Sequence, residues 1–343
     1  MTVRRTAAAV LSAVVAASCT PVHEYRRIVM GAECRILVCA DEDTADRAAA
    51  AAFRRLAEVE EALSDWMASS EVRRLPTRAG ECVTVSPDLA DAITVSLDWS
   101  ARTDGAFDAT LGALTGAWRS ARRAGAPLDR REARDLLDRC GWRNVRFDRA
   151  ARTYAPAVDG LRLDFGAIGQ GIGADAAMAA LRAEGVDRAL VDLSGDIVAG
   201  EPPDGRWSWR VTSDDDAGRV LFLRHQAVTT SGDREQHLDA AGVRLSHVLD
   251  PATGWPITTR VQVTAGAPTA TDADALATAL CVLGPDRGQA LLAQLGPTYW
   301  ARWSWPDGVP TTAAPAAPAP ASPPVPPGPA PASGPSAPGP LDR

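Results

Sequence analysis

The sequence predicts an α+β domain in two lobes, with mixed or antiparallel sheets and packed helices, on three observations. Leu161 to Gly173 alternates like a strand, then carries four glycines, then leads into a helical pattern. A long helical pattern follows Asp41–Thr44, and short strand patterns succeed one another from Trp207 to Thr229. Between two ends of unusual composition lies a body of roughly 280 residues, large for a single core and suited to two lobes.

Taken in order, Glu24 to Ala40 alternates around Gly31, as two strands or one bent strand would. Asp41 to Thr44 offers N-caps for a helix whose apolar face runs through Phe53, Leu56 and Leu63. Leu63-Ser64-Asp65-Trp66 ends that helix with a flat ring, which is either core or a platform for a planar heterocycle. Ser86-Pro87 joins a hydroxyl cap to a proline in the first turn and starts a second helix burying Leu89, Ile93 and Leu97. Phe107-Asp108 precedes the apolar run Leu111 to Trp118, and Asp108 suits either a helix cap or a ligand-holding loop. Arg122 to Arg143 reads as a solvated helical surface, and Val145 to Ala155 as a hairpin arm.

Leu161, Leu163 and Phe165 form the buried face of an expected strand, and a helix is expected from Ala174 to near Gly185. Strands follow at Arg188–Leu193, Trp207–Val211, Val220–Leu223 and Ala227–Thr229, and Thr230-Ser231-Gly232-Asp233 breaks the pattern. Val243 to Leu249 contains Ser246-His247, Val261 to Ala265 is a further strand, and Thr271 to Leu280 is a helix with Leu276, Leu280 and Leu283 inward.

Met1 to Arg5 carries two arginines, Thr6 to Ala17 is uncharged and apolar, and Ser18-Cys19 follows. Residues 1–19 therefore read as a secretory signal, too short for a permanent membrane span. Small residues before Cys19 resemble a bacterial lipobox, so the expected location is the cell envelope, anchored by a lipid on Cys19; the alternative is a soluble secreted or periplasmic product. Residues 307–343 are Pro, Ala, Gly and Ser with almost no charge, the composition of a disordered tail, which leaves 20–306 as the folded domain. The net charge of −7 argues against a nucleic-acid partner. Six cysteines include no C-x-x-C pair, so a zinc site is not expected, and Cys34 and Cys39 suit the core of one strand.

The glycine-rich stretch Gly166, Gly169, Gly171 and Gly173 at a helix start is either a tight connection or a way of bringing backbone N–H groups to a phosphate. Asp274 and Thr278 lie one helical turn apart, where two oxygen donors suit Mg²⁺ completed by substrate phosphates. The plain alternative makes Asp274 a cap and Thr278 an ordinary helical hydroxyl. His247 beside Ser246 is a candidate general base or phosphate contact, and no G-x-S-x-G elbow supports a serine triad. Gly169-x-Gly171-x-x-Ala174 with Asp192 also fits a dinucleotide fingerprint, which would make an NAD-dependent oxidoreductase. Against it stand the charged alternate positions of the preceding segment and the lack of further βαβ patterns.

In this order the motifs resemble the ApbE family of FAD:protein FMN transferases. They are Met30-Gly31, Leu63-Ser64-x-Trp66, Gly105-Ala106-Phe107-Asp108-x-Thr110, Leu163-Asp164-Phe165-Gly166-Ala167-Ile168-Gly169-Gln170-Gly171, Val191 to Asp196, Thr230 to Asp233, Ser246 to Gly254, and Ala273 to Thr278. The resemblance implies a two-lobed, T-fold-like envelope enzyme. It would use FAD as substrate with Mg²⁺, move FMN onto a Thr or Ser hydroxyl of an acceptor protein, and release AMP. Some members hydrolyse FAD instead, and a non-catalytic flavin-binding lipoprotein is a further alternative. By match, Asp274, Thr278 and the carbonyl of Ala167 would hold the metal. Met30, Trp66, Ala106, Phe107, Asp108, Asp164, Gln170 and Leu249 would line the FAD site, with His247 and Asp274 catalytic. Gln170 departs from the Lys or Glu common there, Arg234 from an aromatic, Ser194 from a Gly, and Ala277 from an extra carboxylate.

Overall fold

The structure is a computed structural model that describes residues 20–212, 219–234 and 236–305. The expected leader and tail lie outside the described residues. Elements occur in the order β1 (Val22–Val29), β2 (Ala32–Cys39), α1 (Glu42–Leu63), β3 (Val83–Thr84), α2 (Pro87–Arg102), α3 (Gly112–Ala124), α4 (Arg130–Leu137), β4 (Val145–Asp148), β5 (Thr153–Pro156), α5 (Gly169–Ala183), β6 (Ala189–Leu193) and β7 (Asp196–Ala199). They continue with β8 (Trp209–Thr212), β9 (Val220–Leu223), β10 (Gln226–Gly232), β11 (His237–Ala240), β12 (Val243–Ser246), β13 (Leu249–Asp250), β14 (Trp255–Pro256), β15 (Gln262–Ala267), α6 (Ala270–Leu295) and β16 (Trp300–Ser304).

Seven strands form one sheet in the order β1-β2-β6-β7-β10-β15-β16, and every neighbouring pair is antiparallel. This excludes the parallel sheet that a dinucleotide fold requires, and Asp192, the acidic residue of that fingerprint, is paired with Arg35 at 3.0 Å. Side chains alternate between faces of the sheet. On one face Val191, Leu193, Val263 and Ala265 join α1, α2, α5 and α6 in the main core. On the other, Leu190, Ile197 and Val228 pack against the β8–β9 hairpin. A smaller core of Leu111, Leu114, Trp118, Leu245 and Leu249 makes the second lobe from α3, α4 and β11 to β14. The α+β, two-lobed, antiparallel expectation holds.

Local signals explain most boundaries. Asp41 accepts from Thr44 N at the start of α1, and Ser86 from Leu89 N with Pro87 following at α2. β1 and β2 form a hairpin, with Met30 (φ 55°) and Gly31 (φ 72°) both left-handed at its turn. Cys34 and Cys39 are both buried in β2, and neither is in a disulfide among the described residues.

Four local expectations are corrected. Leu161 to Phe165 belongs to no sheet: Asp164 N donates to Ala109 O and Arg162 O accepts from Gly112 N, so the segment threads beside the start of α3. Its apolar residues are buried as expected, yet Asp164 is buried too. Helix α5 starts at Gly169 rather than Ala174, and none of the four glycines has a positive φ. Their value is closeness: a Cβ on Gly171 would stand 2.4 Å from Ala270 O, and one on Gly173 2.6 Å from Met30 Sδ. The hydroxyl run Thr230-Ser231-Gly232 does not break the strand, because β10 pairs with β15 through it. Of the supposed solvated surface from Arg122 to Arg143, only Arg130–Leu137 is a helix of its own, and Arg122 ends α3 facing inward.

Candidate active site

Between the lobes lies a cleft of about 710 Å³. One wall is the meeting point of α5 and α6. The Asp175 carboxylate accepts from Ala270 N, Thr271 N and Thr271 Oγ1, tying the two helix starts together. Without a side chain at Gly171, its N–H comes within 3.2 Å of Asp274 Oδ2. Asp274 is therefore no cap: Thr269 caps α6, and Asp274 is buried one turn further in. Burial and the neighbouring Asp196 push its carboxyl well above the usual carboxylate range. Asp196 is pushed up by burial as well, although Thr229 Oγ1 donates to it at 2.6 Å. Thr278, one turn along from Asp274, shares a hydrogen bond of 3.3 Å with Ser231 Oγ on β10. Ala167 and Gln170 of the α5 approach border the same cleft.

Among the described residues no group of three or more His, Cys, Asp or Glu side chains converges as a metal cage. The donors that meet here are different: a buried carboxylate, two hydroxyls and the Ala167 backbone beside them. All are hard oxygen atoms, the set that Mg²⁺ uses with few protein ligands and substrate oxygens to complete it. The residues present fit that ion and would suit zinc or copper poorly.

The floor and rim come from the β1–β2 turn and the loop before α3. Met30 and Trp66 border the cleft, Met30 buried and Trp66 60% exposed, with a Cβ on Gly31 lying 3.2 Å from the Trp66 ring. That glycine lets the ring lie flat over the turn. Ala106 and Phe107 are buried at the edge. Asp108 holds the loop: it accepts from Thr110 N, Thr110 Oγ1 and Trp142 N, so its carboxylate is spent on structure rather than on capping α3.

The opposite wall is α3 and the second lobe. Leu111, Thr115, Trp118, Arg119 and Arg122 recur at helical spacing along the cleft. Asp164 accepts from Thr115 Oγ1 at 2.5 Å, Arg119 Nη2 at 2.7 Å and Gly166 N at 2.8 Å, and Arg119 also pairs with Asp65. The Arg122 side chain makes no hydrogen bond or ion pair among the described residues. It is half-buried, and its guanidinium is destabilised by burial and then by Arg119 and Arg123. His247 Nδ1 lies 3.2 Å from Gln236 O; a carbonyl only accepts, so Nδ1 carries the proton and Nε2 keeps its lone pair. Burial lowers the His247 pKa, and Arg122 and Arg119 lower it further against the pull of Asp233. Leu249 and Trp118 anchor this lobe, Trp118 donating to Gly254 O and meeting Trp255 edge-on.

All twelve residues singled out from the sequence thus border one cleft. Sequence reasoning gave no site role to Arg119, Arg122, Asp196, Thr229 or Ser231, although Asp196 and Ser231 lie in motifs that carry the resemblance. The helical spacing of Thr115, Arg119 and Arg122 was a usable signal for the first two.

Comparison with known proteins places this geometry. The sequence profile of the ApbE family matches residues 30–301. The FAD:protein FMN transferase of Treponema pallidum is 35% identical over 298 residues, covering 80% of this chain and 82% of that protein. The apo crystal structure of the Pseudomonas stutzeri flavinyl transferase ApbE superposes with a TM-score of 0.73 at 29% identity, over 82% of this chain and 90% of that one. The flavin transferase ApbE of Vibrio cholerae gives a TM-score of 0.68 at 27% identity, over 83% and 98%.

Proposed function

The chain belongs to the ApbE family, transfers FMN from FAD to a protein, and, we propose, does so with Mg²⁺ and with a Thr or Ser hydroxyl as acceptor. The observation that carries the finer reading is Asp274: a buried carboxylate beside a second one, with no cationic side chain to balance it and hydroxyl donors around it. Asp274, Thr278 and the Ala167 carbonyl would hold the ion. When bound, the ion neutralises charge on the diphosphate oxygens and polarises the phosphorus.

The protein's own residues do the rest. Gly166, Ala167, Gly169 and Gln170, at and just before the start of α5, border the cleft where a diphosphate would lie. Trp66 offers a face to the isoalloxazine, with Met30, Ala106, Phe107, Asp108, Asp164, Gln170 and Leu249 shaping the pocket. The acceptor oxygen attacks the phosphorus on the FMN side, and its proton passes to Nε2 of His247. The phosphorus–oxygen bond to the adenylate breaks, and AMP leaves with the bonding electron pair. Arg122 supplies a free guanidinium to the charged oxygens on the side opposite Asp274.

The composition of residues 1–19 supports the reading of an exported enzyme anchored at the cell envelope by a lipid on Cys19. Among the described residues no helix is long and apolar enough to cross a membrane.

The test mixes purified protein, FAD, Mg²⁺ and a peptide bearing one Thr. A covalent FMN mass on the peptide is the expected result. Free FMN with AMP in its place would make the chain a pyrophosphatase, and unchanged FAD would make it a binder.

A further inference from the structure

Helix α3 has a second exposed side. Leu111, Thr115, Trp118 and Arg122 face the cleft, whereas Gly112, Gly116 and Arg123 face a separate cavity of about 310 Å³. Asp65, Trp66 and Arg119 border both, so they form a neck between the two. No part of the flavin reading uses this annex.

Its chemistry is distinct. In a chain of net charge −7, four arginines line it; Arg119 is paired with Asp65 and Asp164, while Arg73, Arg123 and Arg162 have no carboxylate partner among the described residues. The side chains of Arg73 and Arg162 have no hydrogen bond or ion pair among the described residues. Leu75, Leu161 and Leu163 give it an apolar floor. Tyr154 also lines it, is wholly buried, and its hydroxyl has no hydrogen-bond partner. Buried hydroxyls are normally satisfied, so this one leaves an open hydrogen-bonding demand beside the cationic cavity. The whole set fits a ligand with a dianionic head, an apolar planar body and a hydrogen-bonding edge. The volume lies at the low end of small-molecule sites and suits one mononucleotide rather than a dinucleotide.

Mass balance supplies such a molecule. FAD and an acceptor hydroxyl give FMN–acceptor and AMP, whose freed phosphate is close to a dianion at neutral pH. We propose that the annex is a mononucleotide site that takes AMP from the cleft through the neck at Trp66 and Arg119. The proposal rests on the FMN-transfer reading. It makes AMP an inhibitor at two places, one contested by FAD and one not.

The experiment measures AMP binding by calorimetry to the full chain carrying His247→Ala and saturated with FAD, with adenosine and inorganic phosphate as parallel probes. AMP is expected to bind the FAD-filled protein once per chain. Arg73→Gln with Arg162→Gln should weaken it about tenfold or more, as loss of charge-assisted hydrogen bonds does, with FAD affinity unchanged. Tyr154→Phe, which keeps the ring and hence the fold, should weaken it about threefold. No AMP binding once FAD is in place overturns the proposal. So does an unchanged AMP affinity in the arginine variant, or phosphate binding as tightly as AMP. Failure of FAD itself to bind would sink the flavin reading separately, and the arginine sensitivity of AMP binding would still decide the annex.

Discussion

On the α5–α6 side of the cleft, Asp274 and Asp196 lie buried, met by one backbone N–H and one hydroxyl. On the α3 side, Arg119 and Arg122 sit half-buried, one strapped between Asp65 and Asp164 and the other with no side-chain partner among the described residues. On the first side, burial and mutual repulsion drive both carboxyls toward their protonated forms, and a bound cation would favour the ionised form of Asp274. The second is a flexible positive wall whose long stems reach toward whatever anion arrives. A diphosphate between them would meet a metal on one flank and guanidinium on the other, so the two sides should differ sharply in what their loss costs.

The acidic side should cost most. Asp274→Ala removes the one buried carboxylate among the proposed ligands, and kcat/KM is expected to fall about 10⁴-fold, the several kcal/mol that a lost Lewis acid represents. Thermal melting gives an independent readout. Mg²⁺ at about 100 times its Kd should stabilise the wild type by about 2.7 kcal/mol, and Asp274→Asn should abolish that rise. A magnesium-dependent Tm shift surviving in Asp274→Asn would break the comparison at its base.

His247→Ala comes next, with a loss of about 10²–10³-fold in kcat, within the usual range for a general base. Mg²⁺-dependent stabilisation should be intact in this variant, which separates it from Asp274. Gly171→Ala should act through packing: a Cβ 2.4 Å from Ala270 O forces α5 and α6 apart. A loss of about 1–3 kcal/mol in stability is expected, measured by denaturant unfolding, with weaker Mg²⁺ binding as Gly171 N leaves Asp274.

The contrast also explains what could be read without coordinates. Asp274 and Thr278 were legible because a helix puts i and i+4 on one face whatever surrounds it. The caps at Asp41 and Ser86 were legible for the same local reason, whereas Glu24 to Ala40 read equally as two strands or one bent strand until the hairpin pairing decided it. Asp196 was not: it becomes a partner of Asp274 only because β7 and β10 are neighbours and Thr229 sits across from it. Arg122 was misread as solvated surface because a charged helix face looks the same toward water and toward a wet cleft. Leu161 to Phe165 had the alternation of a strand, yet its hydrogen bonds go to the loop before α3, a choice made by tertiary packing. The glycines of α5 pointed to the right place, and what they supply is close approach: a Cβ at Gly171 would meet Ala270 O and one at Gly173 would meet Met30 Sδ.

On the basic side, Arg122→Gln keeps the length and hydrogen bonding of the wall and removes its charge. The expected effect is about a tenfold rise in KM for FAD with kcat changed far less, the worth of one charge-assisted contact. An equal fall in kcat with KM unchanged would instead put Arg122 on the transition state and erase the difference between the walls.

The smallest effect is the most discriminating. His247 works as a base only while neutral, and burial with the charges of Arg122 and Arg119 holds its pKa below the ordinary 6.5. Facing it are also the Gln236 carbonyl and Asp233, which pull the other way. At saturating Mg²⁺, which would keep Asp274 ionised, protonation of Nε2 as pH falls removes the lone pair, so kcat/KM should drop on the acid side with a midpoint below 6.5. Arg122→Gln takes away one repelling charge, which makes the protonated ring easier to form and should move that midpoint upward. A pH profile of the variant showing the midpoint unmoved or lowered would mean that the cationic wall does not reach His247, and that the two sides of the cleft act independently.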